Sequence, residues 1–276
     1  MKKQCLICPH RCQLAENETG FCRARRMVGG EVTAINYGKI TALALDPIEK
    51  KPLHHFHPGS NILSVGSFGC NLRCGFCQNH RISMSGEGKS LETVTILPAE
   101  LADRAAKAVD AGNIGVAFTY NEPFIGYEYL LDGTAAVRAK GLKNVLVTNG
   151  YVCEQPLKKL LPAIDAMNID LKGFRPEFYR QLGGDLETVK QTIRLAQEAV
   201  HVEVTTLIIP GENDSEAEMT ALARWLASLD PEIVLHISRF FPQYQYGQRT
   251  ATPVGLIHRL TAVAGAHLKY VYPGNC

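Results

Sequence analysis

The sequence predicts an α/β protein built on a parallel sheet, with a small Cys-rich segment ahead of it, and three observations lead there. Apolar runs of strand length recur from Asn61 onward, stretches of helical length stand between them, and four cysteines crowd into the first 22 residues. Strands that are apolar throughout and spaced by helices pair in parallel through right-handed crossovers, which gives an α/β barrel or an open doubly wound sheet.

Residues 1–30 are rich in Cys, Arg and Gly without apolar periodicity, as in a segment that a metal rather than a core organises. Two short strand-type runs follow at 32–35 and 40–45, with Tyr37-Gly38 as a turn between them, which predicts a hairpin. Residues 46–60 contain Pro47, Pro52, Pro58 and Gly59 and read as an ordered linker. The sheet strands are predicted at 62–65, 115–119, 145–148, 166–170, 202–209 and 234–240, with a final strand at 268–272. Helices are predicted at 98–109, 124–139, 155–161, 186–199, 215–229 and 256–264, and Ser215 with Glu218 reads as a capping box. Six repeats are too few for an eightfold barrel. The expected organisation is a Cys-rich segment, hairpin and linker over 1–60 and one catalytic domain over 61–276.

The composition, 46% apolar and 20% charged, is that of a globular protein, and no run is long enough to cross a bilayer. Lys2 and Lys3 are followed by Pro9, His10 and Arg11 rather than an apolar stretch, so no export signal is read and a cytoplasmic location is expected. A net charge of +2 gives no reason to expect nucleic acid or membrane as partner. There are nine cysteines, which in a reducing compartment point to metal ligation rather than disulfides. Cys5, Cys8, Cys12 and Cys22 form one group and Cys70, Cys74 and Cys77 another.

The second group has the spacing Cys-x3-Cys-x2-Cys and stands just after the first predicted sheet strand and Gly69. A cubane cluster has four irons and normally takes four thiolates, so three leave one iron open to an outside ligand. The same three thiolates with His80 would also suit zinc.

This motif and its position resemble the radical S-adenosylmethionine (radical SAM) superfamily. The segments Asp46-Pro47-Ile48-Glu49-Lys50-Lys51-Pro52-Leu53-His54-His55-Phe56-His57-Pro58-Gly59-Ser60, Cys77-Gln78-Asn79 and Thr119-Tyr120-Asn121-Glu122-Pro123 resemble the AmmeMemoRadiSam radical SAM proteins, relatives of the pyruvate formate-lyase activating enzymes. The resemblance implies a partial (β/α)6 TIM-type barrel, a 4Fe-4S cluster on Cys70, Cys74 and Cys77, and SAM on its open iron. It implies an oxidoreductase that cleaves SAM reductively to a 5'-deoxyadenosyl radical, with a flavodoxin or ferredoxin as electron donor. The substrate would be a glycine of a partner protein, or else a small molecule or peptide. An iron–sulfur electron carrier or zinc-binding protein without radical chemistry is the reading from another class.

By the same resemblance, Phe76 sits where an aromatic residue lies near the adenine, and Asn121-Glu122 occupies the place of a Gly-Gly-Glu segment that meets the SAM amino group. Asn121 departs from glycine there, and Glu122 would equally suit a helix start. Thr148-Asn149-Gly150 resembles an Asp-Thr-Asn-Gly segment, with Val147 in the aspartate's place. Asp170 and Lys172 resemble an Asp-x-Lys that would meet cation, SAM or substrate, or form an ordinary ion pair. His236 would contact SAM from the barrel interior or be a core histidine, and His54, His55 and His57 would line the site's mouth or structure the linker. Cys5, Cys8, Cys12 and Cys22 supply four thiolates, enough for zinc or a second cluster, with a thiol redox role as the minor alternative.

Overall fold

One sheet of eight strands dominates the computed structural model, which describes residues 1–86 and 91–276. The strands are β1 (Ala42–Pro47), β2 (Asn61–Gly66), β3 (Asn113–Phe118), β4 (Lys143–Thr148), β5 (Ala166–Asp170), β6 (His201–Ile208), β7 (Val234–Arg239) and β8 (Val271–Gly274). Their order across the sheet is their order along the chain, antiparallel from β1 to β2 and parallel from there on. A doubly wound sheet reverses its strand order partway, whereas this one winds in a single direction, so the barrel alternative is the one realised. Strands β1 and β8 stand at its two edges, so the barrel is partial. Each parallel crossover carries one principal helix: α1 (Pro98–Lys107), α2 (Tyr127–Ala139), α3 (Glu154–Leu160), α4 (Leu186–Gln197), α5 (Glu216–Leu229) and α6 (Val254–Gly265).

Side chains alternate across the strands with period two. Val116, Leu146, Met167, Val204 and Leu235 face outward and pack with Leu101, Leu130, Leu160, Ile193, Leu226 and Ile257 of the helices. Their neighbours Ala117, Val145 and Ala166 turn inward onto Ile62, Ile48 and Leu53. The last two come from residues 48–60, so the proline-rich linker is a plug that fills the barrel at the amino-terminal ends of the strands.

Several local expectations shift. The two runs at 32–35 and 40–45 do not pair as a hairpin. Glu31–Ala34 pairs instead with Arg25–Val28 around Gly29 and Gly30, both with positive φ, the conformation a two-residue hairpin turn demands. The second run becomes edge strand β1, where Pro47 is tolerated. The last strand starts at Val271, because the amides of His267 and Leu268 still bond to Ala264 at the end of α6. Ser215 caps α5 by accepting the Glu218 amide, but the Glu218 carboxylate does not reciprocate; it takes the Phe174 amide at 2.7 Å and the Arg175 guanidinium at 2.9 Å.

The plug is pinned by polar residues of the barrel interior. Asn168 donates to the Pro52 carbonyl at 2.8 Å and accepts from Thr205 at 3.0 Å. Glu203 is fully buried and accepts four hydrogen bonds: the amides of His54 and His55 at 2.9 and 2.8 Å, His201 Nε2 at 2.9 Å and His236 Nε2 at 2.6 Å. His236 therefore faces the interior, as a core residue engaged by Glu203. His54 and His55 stand at this same end, away from the carboxyl ends of the strands, and His57 lies in the exposed turn beyond them.

Burial alone would raise the Glu203 carboxyl, but the bonds from His201, His236, His54 and His55 outweigh it and hold the group well below its ordinary value of 4.5. Its stabilisation is thus complete above that value and lost progressively as pH falls below it. Glu203→Ala should lower the unfolding free energy by about 3–5 kcal/mol at pH 7, because it strands several buried donors. Urea denaturation measures this, and the gap between the variant and the native chain should narrow in acid.

Candidate active site

A cavity of about 280 Å³ opens at the carboxyl ends of the parallel strands, the end where barrel enzymes place their chemistry. Cys70, Cys74 and Cys77 form one wall, and Glu122, Thr148, Asp170, Lys172, Thr205 and Ser238, from the ends of β3 to β7, supply polar groups around it. Phe76 and Asn121 also line it; His236 does not.

The three cysteines lie on the loop that leaves β2, and that loop has little regular structure, so neighbours satisfy its backbone. Asn121 is the principal clamp: its Oδ1 accepts the Ser67 amide at 2.9 Å, and its Nδ2 faces the carbonyls of Phe68 and Gly69 at 3.3 and 3.1 Å. The side chain thus holds the cysteine loop, a use that a glycine in its place could not serve. Asn36 also donates to Phe68, the Gly69 amide bonds to Ile82, the Cys70 amide to Cys22 and the Arg73 amide to Leu182. Gly69 has φ of +86°, and a Cβ there would stand 2.5 Å from the Cys22 carbonyl, so this turn accepts only glycine. On the far side, the amides of Gln245 and Tyr246 both bond to the Gly75 carbonyl, and Tyr246 packs on Phe76.

Donors are aimed at the sulfurs. The Leu72 amide lies 3.4 Å and Asn149 Nδ2 3.6 Å from Cys70 Sγ, and Ser83 Oγ lies 3.2 Å from Cys77 Sγ. Burial pushes the Cys70 and Cys74 thiols up, Cys74 to about 12. Thiolates form in such a place when a cation takes up their charge, and three thiolates on one cavity wall fit a cluster with one iron facing the cavity. His80 does not join them: its ring stacks on Tyr244 and its Nδ1 meets the Cys77 carbonyl at 3.2 Å.

Glu122 is buried and caps the turn that follows, yet does more. It accepts from the Phe124 amide at 3.1 Å, Thr148 Oγ1 at 2.8 Å and the Asn149 amide at 2.8 Å. Burial pushes its carboxyl up to about 7 against those three donors. Lys172 pairs with Asp170 at 2.7 Å; burial works against its charge, but Asp170 and Cys74 outweigh that and hold the ammonium above its ordinary value. Phe76 is both core and cavity wall, with its ring stacked 6.3 Å from that of Phe178.

Two residues that sequence reasoning passed over are central. Asn71 is fully buried, donates to the Tyr151 carbonyl at 2.6 Å and accepts from Asn149 at 2.9 Å, and so ties the cysteine loop to the end of β4. Both lie inside motifs already singled out, and their amide side chains beside a sulfur were the available signal.

The family model for the radical SAM superfamily matches residues 64–223. This chain belongs to the radical SAM superfamily. Its relatives include an uncharacterized protein of Methanocaldococcus jannaschii, 39% identical over 99% of this chain and 81% of that protein. The pyruvate formate-lyase 1-activating enzyme of Escherichia coli is 23% identical over 71% of this radical SAM chain and 79% of its own length. Among solved structures, Streptococcus suis SuiB bound to S-adenosylmethionine superposes with a TM-score of 0.60 at 15% identity, over 78% of this chain and 52% of SuiB. A domain of the pyruvate-formate lyase-activating enzyme from Bacteroides vulgatus gives 0.52 at 18% identity, over 58% and 99%. These structures share the partial-barrel fold. The superfamily implies a 4Fe-4S cluster and SAM for this chain.

Asn121→Ala should lower stability by about 1–3 kcal/mol, since it frees the Ser67 amide and two carbonyls of the cysteine loop. It should also reduce the iron retained per chain after anaerobic reconstitution, measured by iron and sulfide analysis alongside thermal denaturation.

Proposed function

We propose that the chain is a SAM-cleaving radical enzyme whose hydrogen-atom donor is a partner protein, at a glycine α-carbon. The observation that carries this reading is the wall of three inward-facing thiols opposite the polar strand ends, in a chain whose named relatives include pyruvate formate-lyase activating enzymes. Cys70, Cys74 and Cys77 would hold a 4Fe-4S cluster with one iron left for SAM, and the cluster would supply the electron for reductive cleavage of SAM and hydrogen abstraction from the substrate.

The chain's own residues divide the supporting work. Glu122 would receive the SAM ammonium beside Oε2, whose partner among the described residues is the Asn149 amide, while Thr148 and that amide fix the carboxylate's orientation. Phe76 offers an apolar face at the adenine, backed by Phe178. The Asp170–Lys172 pair meets the charged parts of SAM or substrate at the end of β5. Asn121 positions the cysteine loop. Cys5, Cys8, Cys12 and Cys22 hold a second metal group, and the electron arrives from a flavodoxin or ferredoxin in the cytoplasm.

Anaerobic reconstitution with iron and sulfide, followed by SAM and dithionite, should yield 5'-deoxyadenosine from the native chain and none from Cys74→Ala. No product from a fully loaded, reduced native protein would refute the reading. In extracts of source cells labelled with α-deuterated glycine, the 5'-deoxyadenosine should carry deuterium; unlabelled product would direct attention to a small molecule or another peptide position.

A further inference from the structure

We infer that Cys5, Cys8, Cys12 and Cys22 hold a second iron–sulfur cluster in electronic contact with the first. The inference takes from the proposed function only that Cys70, Cys74 and Cys77 carry a cluster.

The amino-terminal segment is organised around its sulfurs. Its regular structure before Cys22 is one pair of two-residue strands, Lys3–Gln4 with Gln13–Leu14, and the Cys5 amide closes the loop onto the Cys12 carbonyl at 2.9 Å. Cys5, Cys8 and Cys22 are buried, and all four cysteines are free thiols. The Phe21 amide is aimed at Cys12 Sγ at 3.5 Å. Thiolates at these four positions, three of them buried, need a cation, and the nearby Arg25 guanidinium is already committed to both carboxylate oxygens of Glu128 at 2.9 and 2.7 Å. A metal group is what remains.

Position argues for iron–sulfur over zinc, which carries no electron. The Cys22 carbonyl accepts the Cys70 amide at 3.2 Å, and His10 Nε2 lies 2.8 Å from the Asn71 carbonyl. The buried Asn71 has its Oδ1 4.0 Å from Cys70 Sγ while its carbonyl meets His10, so one residue touches both cysteine segments. An electron from a flavodoxin- or ferredoxin-type donor reduces the N-terminal cluster, which returns to its oxidised state as the electron passes on to the Cys70 side.

The test uses the full chain with Cys70→Ala, Cys74→Ala and Cys77→Ala combined, reconstituted anaerobically with iron, sulfide and competing zinc. About four irons and four sulfides per chain should remain, with a dithionite-dependent paramagnetic signal indifferent to SAM. About one zinc and no iron would overturn the inference. Should circular dichroism show that variant unfolded, the native protein decides. About eight irons, with a reduced spectrum broadened by coupling between two clusters, are expected; about four irons with one zinc overturn the inference, and two clusters without broadening overturn the contact. None of these failures touches SAM cleavage by the native chain, so the two readings are tested separately.

Discussion

Three sulfurs have to face one cavity from a loop that no ladder or long helix supports, and much of the surrounding structure answers that constraint. Every stretch of the loop between Gly66 and Cys77 finds its hydrogen-bond partners elsewhere: Asn36 and Asn121 at its start, Cys22 and Tyr151 in the middle, Leu182 and the residues around Tyr246 at its end. Buried peptide groups without partners are costly, so these contacts together decide whether the loop has one conformation. Partners come from six separate places along the chain, and the site therefore exists only in the assembled fold.

The barrel beneath serves the same end by opposite means. Its upper interior is left open for ligands, while its lower interior is filled by Ile48 and Leu53 and locked by Glu203 and Asn168. An open-edged barrel lacks the last hydrogen-bonded seam that would fix its curvature. The plug supplies a substitute by tying β5, β6 and β7 to one polar knot. The histidines near the cysteine motif in sequence thus belong to the foundation rather than to the cavity.

The amino-terminal segment is as much a part of the site as the strands. Arg73 lies flat on the Phe21 ring with its guanidinium carbon 3.8 Å from the ring centre, and it also donates to the Phe21 carbonyl. Together with the Cys22–Cys70 backbone bond, this makes the two cysteine groups one packed unit, in which a change at either is felt at the other.

By itself the sequence determined the alternation of strands and helices, because apolar runs and helical spacing are local signals, and it singled out the three cysteines of the cavity wall, because their spacing is a property of one short loop. It also singled out Glu122, Thr148, Asp170 and Lys172, since polar residues at strand ends are visible once the strands are. Tertiary structure decided the rest. Whether the sheet curled as a barrel or wound doubly depended on strand order; β1 found β2 rather than residues 32–35 because the Gly29-Gly30 turn had already taken those; and Asn121, Asn71 and Glu203 acquired their roles from residues up to 149 positions away. Hydrogen-bond partners so distant leave no periodicity in a sequence, and only the folded chain brings them within reach.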